Sequence, residues 1–219
     1  TADNVIVISE SIKDWLKHLN PSINPIVIPY GIEVPKILND DKSNISTLGY
    51  LGKLNKNKGI EDLIDVYEKL LKKENFNKLE PNLLIGGVGS KNYIRSINKR
   101  ISNKNIQFLG YVEDRYSFFN SIKVFIFPSY SEGLGLVLLE AMSHGVLCIT
   151  RDVSPMNSII NNGENGFLFK DNNELMEIIE KALKFNSLEQ DKMVKSALEK
   201  IEKSYSIMQM YLSIDKAYN

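Results

Sequence analysis

Short apolar runs alternate with amphipathic stretches along most of this chain, and that alternation is the signature of βα units wound around a parallel sheet. The runs predict strands at 4–9, 25–28, 46–52, 82–86, 105–109, 124–127, 146–150 and 167–169. Helical spacings lie between them. Ile60, Leu63, Ile64, Tyr67, Leu70 and Leu71 recur three and four residues apart, and Leu175, Ile178, Ile179 and Leu183 repeat the pattern. Two amphipathic helices are expected to close the chain, at about 187–202 and 207–218. Pro21, Pro25, Pro29 and Pro35 crowd one stretch and Asn39-Asp40-Asp41-Lys42 follows, which reads as a linker. The pattern thus predicts an α/β fold with one doubly wound parallel sheet over about 46–203, preceded by the tail of something else in 1–35. In such sheets ligands bind beyond the carboxyl ends of the strands, so the loops after strands are the places to look for chemistry.

Composition narrows the function without naming it. At 219 residues with 43% apolar and 25% charged residues, a packed core is expected and disorder is excluded. The 27 basic residues are matched by 27 acidic ones, which gives no electrostatic reason to expect nucleic acid as a partner. Any anionic ligand must be met locally. The lone cysteine, Cys148, sits in the apolar run Val146-Leu147-Cys148-Ile149 and reads as a buried hydrophobe in a reducing, cytoplasmic setting. No apolar stretch reaches the roughly 18 residues needed to cross a bilayer. The start, Thr1-Ala2-Asp3-Asn4, has neither an initiator Met nor a basic leader region, so a fragment or trimmed chain without a secretory signal is the expectation.

Three strand-end loops carry candidate chemistry. Gly52-Lys53-Leu54-Asn55-Lys56-Asn57-Lys58-Gly59 opens a helix at Ile60, and lysines at a helix N-terminus suit a phosphate; a solvated basic turn is the alternative, and the Walker pattern is absent. Ile85-Gly86-Gly87-Val88-Gly89-Ser90 has two glycines of a dinucleotide fingerprint but Asn92 in place of the third, which favours a tight βα turn with close backbone approach. The third loop, Phe127-Pro128-Ser129-Tyr130-Ser131-Glu132-Gly133-Leu134-Gly135, runs into a helix bearing Glu140. The carboxylates of Glu132 and Glu140 can accept hydrogen bonds from vicinal hydroxyls, while the amides of Gly133, Leu134 and Gly135 can donate to an oxyanion. A sugar beside a diphosphate presents that mixture of groups. The alternative is a helix whose acids merely complement its dipole.

Taken together these residues resemble the retaining glycosyltransferases of family 4, a GT-B group. Ser131-Glu132 through Glu140-Ala141-Met142 is similar to the family's Glu-x7-Glu segment. Gly49 to Leu54 with Lys58-Gly59, Phe108 to Val112, Asn162 to Leu168 and Ile28-Pro29-Tyr30-Gly31-Ile32 match further stretches. The resemblance implies a Rossmann-like C-terminal half in which Glu140 binds the ribose of a nucleotide sugar. It implies that Glu132 and the amides of 133–135 hold the transferred sugar, and that Lys53 and Lys58 act as catalytic donor-side stabilisers on the diphosphate. Tyr111 and Val112 would contact the base through main chain, with Gly87 and Gly89 in the nucleotide-binding set. Because lysines neutralise the diphosphate, the family needs no metal and no cofactor.

The resemblance also implies a division of the chain. Residues 1–35 look like the last strand and helix of an N-terminal domain plus the interdomain linker, 36–203 the donor-binding domain, and 204–219 a helix that crosses back to the N-terminal domain. That absent domain supplies acceptor binding and the catalytic His of the family; His18 and His144 do not match it by position and read as surface and helix-end residues. The expected partners are a nucleotide-sugar donor and, through the N-terminal domain, a glycan or lipid-linked acceptor, with the cytoplasmic membrane face as an option for the intact enzyme. The chain alone is expected to bind donor but transfer little. Two departures stand out: Lys53 replaces a usual Arg, losing the bidentate fork, and Asn157-Ser158 precede Ile159-Ile160 where the family often has Glu. A noncatalytic donor-domain-like subunit or interaction module is the alternative reading, and a non-transferase GT-B enzyme a third.

Overall fold

A computed structural model describes residues 5–35, 46–79 and 81–218. The stretch 39–42, read as part of a linker, and residue 4 of the first expected strand lie outside the described residues. The chain begins with β1 (Ile6–Val7), α1 (Glu10–Leu19) and β2 (Ile26–Val27), a small unit in which β1 and β2 pair in parallel with each other. There follow β3 (Leu48–Leu51), α2 (Ile60–Leu70), α3 (Glu74–Asn77), β4 (Leu83–Gly86), α4 (Lys91–Asn98) and β5 (Ile106–Gly110). The second series is α5 (Arg115–Asn120), β6 (Val124–Phe127), α6 (Leu136–Ser143), β7 (Leu147–Arg151), α7 (Met156–Ile159) and β8 (Phe167–Phe169). The chain closes with α8 (Asn172–Leu183), α9 (Ser187–Ser204) and α10 (Ile207–Tyr218). Each expected apolar run holds a strand: β6 and β8 match their runs, β5 and β7 are shifted one residue toward the C-terminus, and β1, β2, β3 and β4 are shorter than expected.

The main sheet is parallel, in the order β5-β4-β3-β6-β7-β8. Strands covered on both faces read as continuous apolar runs, and β3, β6 and β7 are buried at every position. The edge strand β5 is exposed over much of its length. From β3 the chain moves outward through β4 and β5, then returns to the other side of β3 and moves outward again through β7 and β8. Right-handed crossovers in the two directions put α2 and α6 on opposite faces. There α2 packs on α8 and α6 on α9. The apolar stripe of α2 is buried down its length, from Ile60 through Leu70.

Two details bind the ends of this layer together. Lys123, fully buried just ahead of β6, donates from Nζ to the carbonyls of Leu183 (3.2 Å) and Phe185 (3.0 Å), satisfying the end of α8 with a positive charge where the helix dipole favours one. The Ile28-Pro29-Tyr30-Gly31-Ile32 stretch docks on the α9–α10 junction, where the Ile32 amide donates to the Tyr205 carbonyl at 2.7 Å. Glycine is required there: a Cβ on Gly31 would lie 2.5 Å from the Ile207 Cα.

Candidate functional site

The reversal of strand order between β3 and β6 makes their carboxyl ends the switch point of the sheet, where the following loops diverge and leave a cleft. The loop after β3 carries Lys53 and turns through Lys56–Lys58 into α2; the loop after β6 carries Tyr130 and Glu132 into α6. Both helices start on a left-handed glycine, Gly59 (φ 66°) and Gly135 (φ 83°), and neither has a side-chain cap. Their first amides therefore lack a side-chain acceptor from the chain's own caps, and the start of α6, at Gly135, Leu136 and Val137, lines the cleft with the positive end of its dipole.

Tertiary contacts hold the two loops against each other. The Tyr130 amide donates to the Asn57 carbonyl at 2.9 Å, and the Lys58 ammonium donates to Glu132 Oε1 at 2.6 Å. Behind them lies Arg151, at the end of β7. Its Nη2 donates to Asp62 Oδ2 (2.6 Å), its Nε to the Pro128 carbonyl (3.1 Å), and its guanidinium sits 4.1 Å from the centre of the Tyr130 ring. The Tyr130 hydroxyl donates to the same Asp62 oxygen, which pushes the phenol pKa up. One arginine thus joins α2, β7 and the loop that presents Glu132.

Two adjoining cavities, each of about 350 Å³, open over this point. The first brings together Lys53, Lys58, Glu132, Leu134 and Gly135, with Ile8 closing it from the N-terminal unit. Its wall includes Tyr50, whose hydroxyl donates to the Lys53 carbonyl at 3.0 Å. Burial, reinforced by the nearby Glu132 charge, raises the Tyr50 pKa far enough to keep it a donor. The second cavity shares Gly52, Lys53 and Val137 with the first and is lined further by Gly87, Tyr111, Val112 and Arg115. Lys53 therefore faces both. Glu140, on α6, is reached through Arg115, whose Nη1 donates to both carboxylate oxygens, at 2.7 Å to Oε1.

The remaining residues singled out in the sequence fall elsewhere. Gly87 lines the second cavity, but its N–H donates to the Gly110 carbonyl at 2.6 Å and so is not offered to a ligand. It has φ 139°, and a Cβ would lie 1.7 Å from the Gly52 oxygen, so only glycine lets the two strand-end loops stack. Gly89 bridges to Leu54 and is absent from both linings. Gly133 faces the N-terminal unit, where a Cβ would meet Ile8 and Ile12 at 3.8 and 3.9 Å. His144 ends α6 with Nδ1 2.8 Å from the Glu140 carbonyl, and His18 lies in the last turn of α1. Among the described residues no three His, Cys, Asp or Glu side chains are grouped to hold a metal. Arg115, Asp62, Tyr130 and Arg151 were missed by sequence reasoning. Their partners are distant in the chain, and only an unusual Arg at the end of an apolar run could have drawn attention to Arg151.

What the arrangement offers is two cationic cavities that share Lys53, one with Lys58 and Glu132, the other with Arg115, whose partner Glu140 lines neither. Among solved structures, Anabaena Alr3699/HepE in complex with UDP and glucose superposes with a TM-score of 0.85 at 17% identity, over 99% of this chain and 63% of that one. A Staphylococcus aureus TarM mutant in complex with Fondaparinux, alpha-GlcNAc-glycerol and UDP gives 0.84 at 22% identity, over 99% and 44%. The fold, a six-stranded parallel sheet flanked by helices, is therefore shared with part of each of those chains. The capsular polysaccharide biosynthesis glycosyltransferase CapM of Staphylococcus aureus is 31% identical over 188 residues, 84% of this chain and 47% of CapM. The chain spans about half the length of the curated relatives it matches. The family described as glycosyl transferases group 1 matches residues 34–200, the stretch that holds the whole main sheet and, Ile8 apart, the lining of both cavities, and the chain belongs to it.

Proposed function

We propose that this chain is the donor-binding part of a retaining, metal-independent glycosyltransferase of family 4, moving a hexose from a nucleoside diphosphate sugar to a glycan or lipid-linked acceptor in polysaccharide synthesis. The observation that carries the reading is the convergence of Lys53, Lys58, Glu132 and the uncapped start of α6 on one cavity at the switch point of the sheet. UDP in the two neighbouring structures and the capsule assignment of CapM support the choice of donor and product class.

In this mechanism the diphosphate lies across the start of α6. Charge grows on it as the glycosidic bond breaks, and the ammonium groups of Lys53 and Lys58 with the helix amides stabilise that charge more than the ground state, which lowers the barrier. Lys58 already holds Glu132 and keeps further N–H donors for a phosphate oxygen, so one residue couples sugar and leaving group. Glu132 accepts from sugar hydroxyls, Glu140 from the ribose, and Tyr111 with Val112 flanks the base. The exposed apolar residues Trp15 and Leu19 on α1, with Met208 and Tyr211 on α10, form the face for the N-terminal domain, which brings the acceptor. The location is the cytoplasm or its membrane face.

The test is calorimetric titration of the chain with UDP, GDP and ADP in the absence of metal, repeated on Lys58→Ala and Glu140→Ala. One diphosphate should bind, roughly tenfold more weakly after either substitution, as expected for losing one charge-assisted contact. Failure of a folded chain to bind any of the three overturns the reading.

A further inference from the structure

Glu132 is held over the first cavity by side chains that do not line it. Arg151, Asp62 and Tyr130 are absent from both linings, yet their contacts converge on the two segments that carry the Lys58–Glu132 pair. Tyr130 stands two residues before Glu132. Its amide donates to the carbonyl of Asn57, the neighbour of Lys58, and its hydroxyl donates to Asp62 Oδ2 in the first turn of α2. Arg151 donates from Nη2 to the same Asp62 oxygen, from Nε to the Pro128 carbonyl at the start of the Glu132 loop, and from Nη1 to the Lys170 carbonyl just after β8 (3.3 Å). Its guanidinium also packs on two rings, 4.1 Å from the centre of Tyr130 and 4.9 Å from that of Phe169.

Such a cluster is a poor way to gain stability. Arg151 is buried, and taking a guanidinium out of water offsets much of what its ion pair returns, so apolar side chains could join these segments as firmly. What apolar packing lacks is direction. Hydrogen bonds from one planar fork fix angles as well as distances, and here they fix the loop between β6 and α6 against the start of α2. We infer that Arg151 and Tyr130 are positioning residues that aim Glu132 at the sugar of the donor, and so govern recognition of the sugar and not of the nucleotide. The inference rests on the donor-site reading above. A carboxylate that must find its orientation on binding gives up rotamer freedom, whereas this one is ordered in advance. Lys58 takes one acceptor position on Oε1, and the rest of the carboxylate remains for hydroxyls.

The experiment measures by calorimetry the affinity for the best-binding of UDP, GDP and ADP and for the glucose ester of the same diphosphate, and reads the ratio of the two. Glu132→Ala sets the scale: it should shift the ratio against the sugar nucleotide by about tenfold, the size of a hydrogen bond to a charged group. Tyr130→Phe keeps the ring on Arg151 and loses only the hydroxyl, and Arg151→Lys keeps a charge beside Asp62 and loses the fork. They should shift the ratio the same way, by about threefold and about fivefold, with diphosphate affinity within about twofold of the unsubstituted chain. Neither should shift it further in a Glu132→Ala background. An unchanged ratio in either variant, where Glu132→Ala shifts it, overturns the inference for that residue. Equal weakening of both ligands overturns it in favour of a general disturbance of the cleft, and a shift that persists without Glu132 overturns it in favour of direct contact. A chain that binds no nucleotide, or a ratio that Glu132→Ala leaves unmoved, sinks the donor-site reading itself, an outcome distinct from the others. Thermal unfolding of each variant separates these effects from loss of the fold.

Discussion

Helix starts at the switch point differ from helix starts elsewhere in the molecule. Beyond those two starts, the helices of six residues or more are closed by their own sequence: Ser9 caps α1, Ser90 caps α4, Asp114 caps α5, Asp171 caps α8, and Asn186 with Glu189 forms a reciprocal capping box on α9. Ser206 Oγ accepts the Gln209 amide at the start of α10. At the cleft, α2 and α6 begin on bare glycines and are held from outside, by Arg151, Tyr130 and the Lys58–Glu132 pair. Local caps stabilise a helix and fill its amides. Tertiary pins stabilise a helix and leave its amides open. The difference separates ends that only terminate a helix from ends that can receive an anion.

Three substitutions break or sharpen that contrast. The largest effect is expected from Arg151→Ala, which strips the pin from both helices and leaves Asp62 half-buried without its cation; breaking such a pair costs about 3 kcal/mol in denaturant unfolding. A loss under about 1 kcal/mol would mean that α2 and α6 hold themselves. Next comes Gly135→Asp, which puts a carboxylate where a phosphate would lie. A Cβ there meets nothing nearer than 3.7 Å and the left-handed backbone costs about 1 to 2 kcal/mol, so the chain should fold with reduced stability while nucleoside diphosphate affinity falls roughly 100-fold. Undiminished binding would remove α6 from the phosphate site. The smallest effect is Asp171→Ala, the loss of an ordinary cap: about 1 kcal/mol of stability by thermal melting and no change in nucleotide affinity.

Much of this architecture was legible because doubly covered parallel strands write themselves as uninterrupted apolar runs, Val124 to Phe127 being the clearest. The Lys53–Lys58 and Glu132–Glu140 segments were legible because each sits in one loop-helix unit, where spacing and chemistry are read together. Arg115, Asp62, Tyr130 and Arg151 were not, because a lone polar residue gains meaning only from partners that the fold brings in; Asp62 and Arg151 meet across three intervening strands and four intervening helices of chain. Lys123 shows the same limit from the other side. It stands at the mouth of an apolar run as an ordinary solvated lysine would, and only the approach of the end of α8 makes it a buried cap. Gly87 was legible as a glycine of close approach, but that the approach is to Gly52 follows from the pairing of β3 with β4.

The strand order has a kinetic side. The β3-α2-β4-α4-β5 half is assembled from neighbours in the chain, and so is the half from β6 to β8, whereas the seam between them pairs Leu48 with Val124 across a long stretch of sequence. Closing a loop of that length is slow relative to forming either half. Lys53 and Lys58 belong to one half and Glu132 and Glu140 to the other, so the proposed donor site comes into being with the last seam to zip. On that proposal, nucleotide capture during refolding reports the joining of the halves and should lag behind the recovery of helical signal.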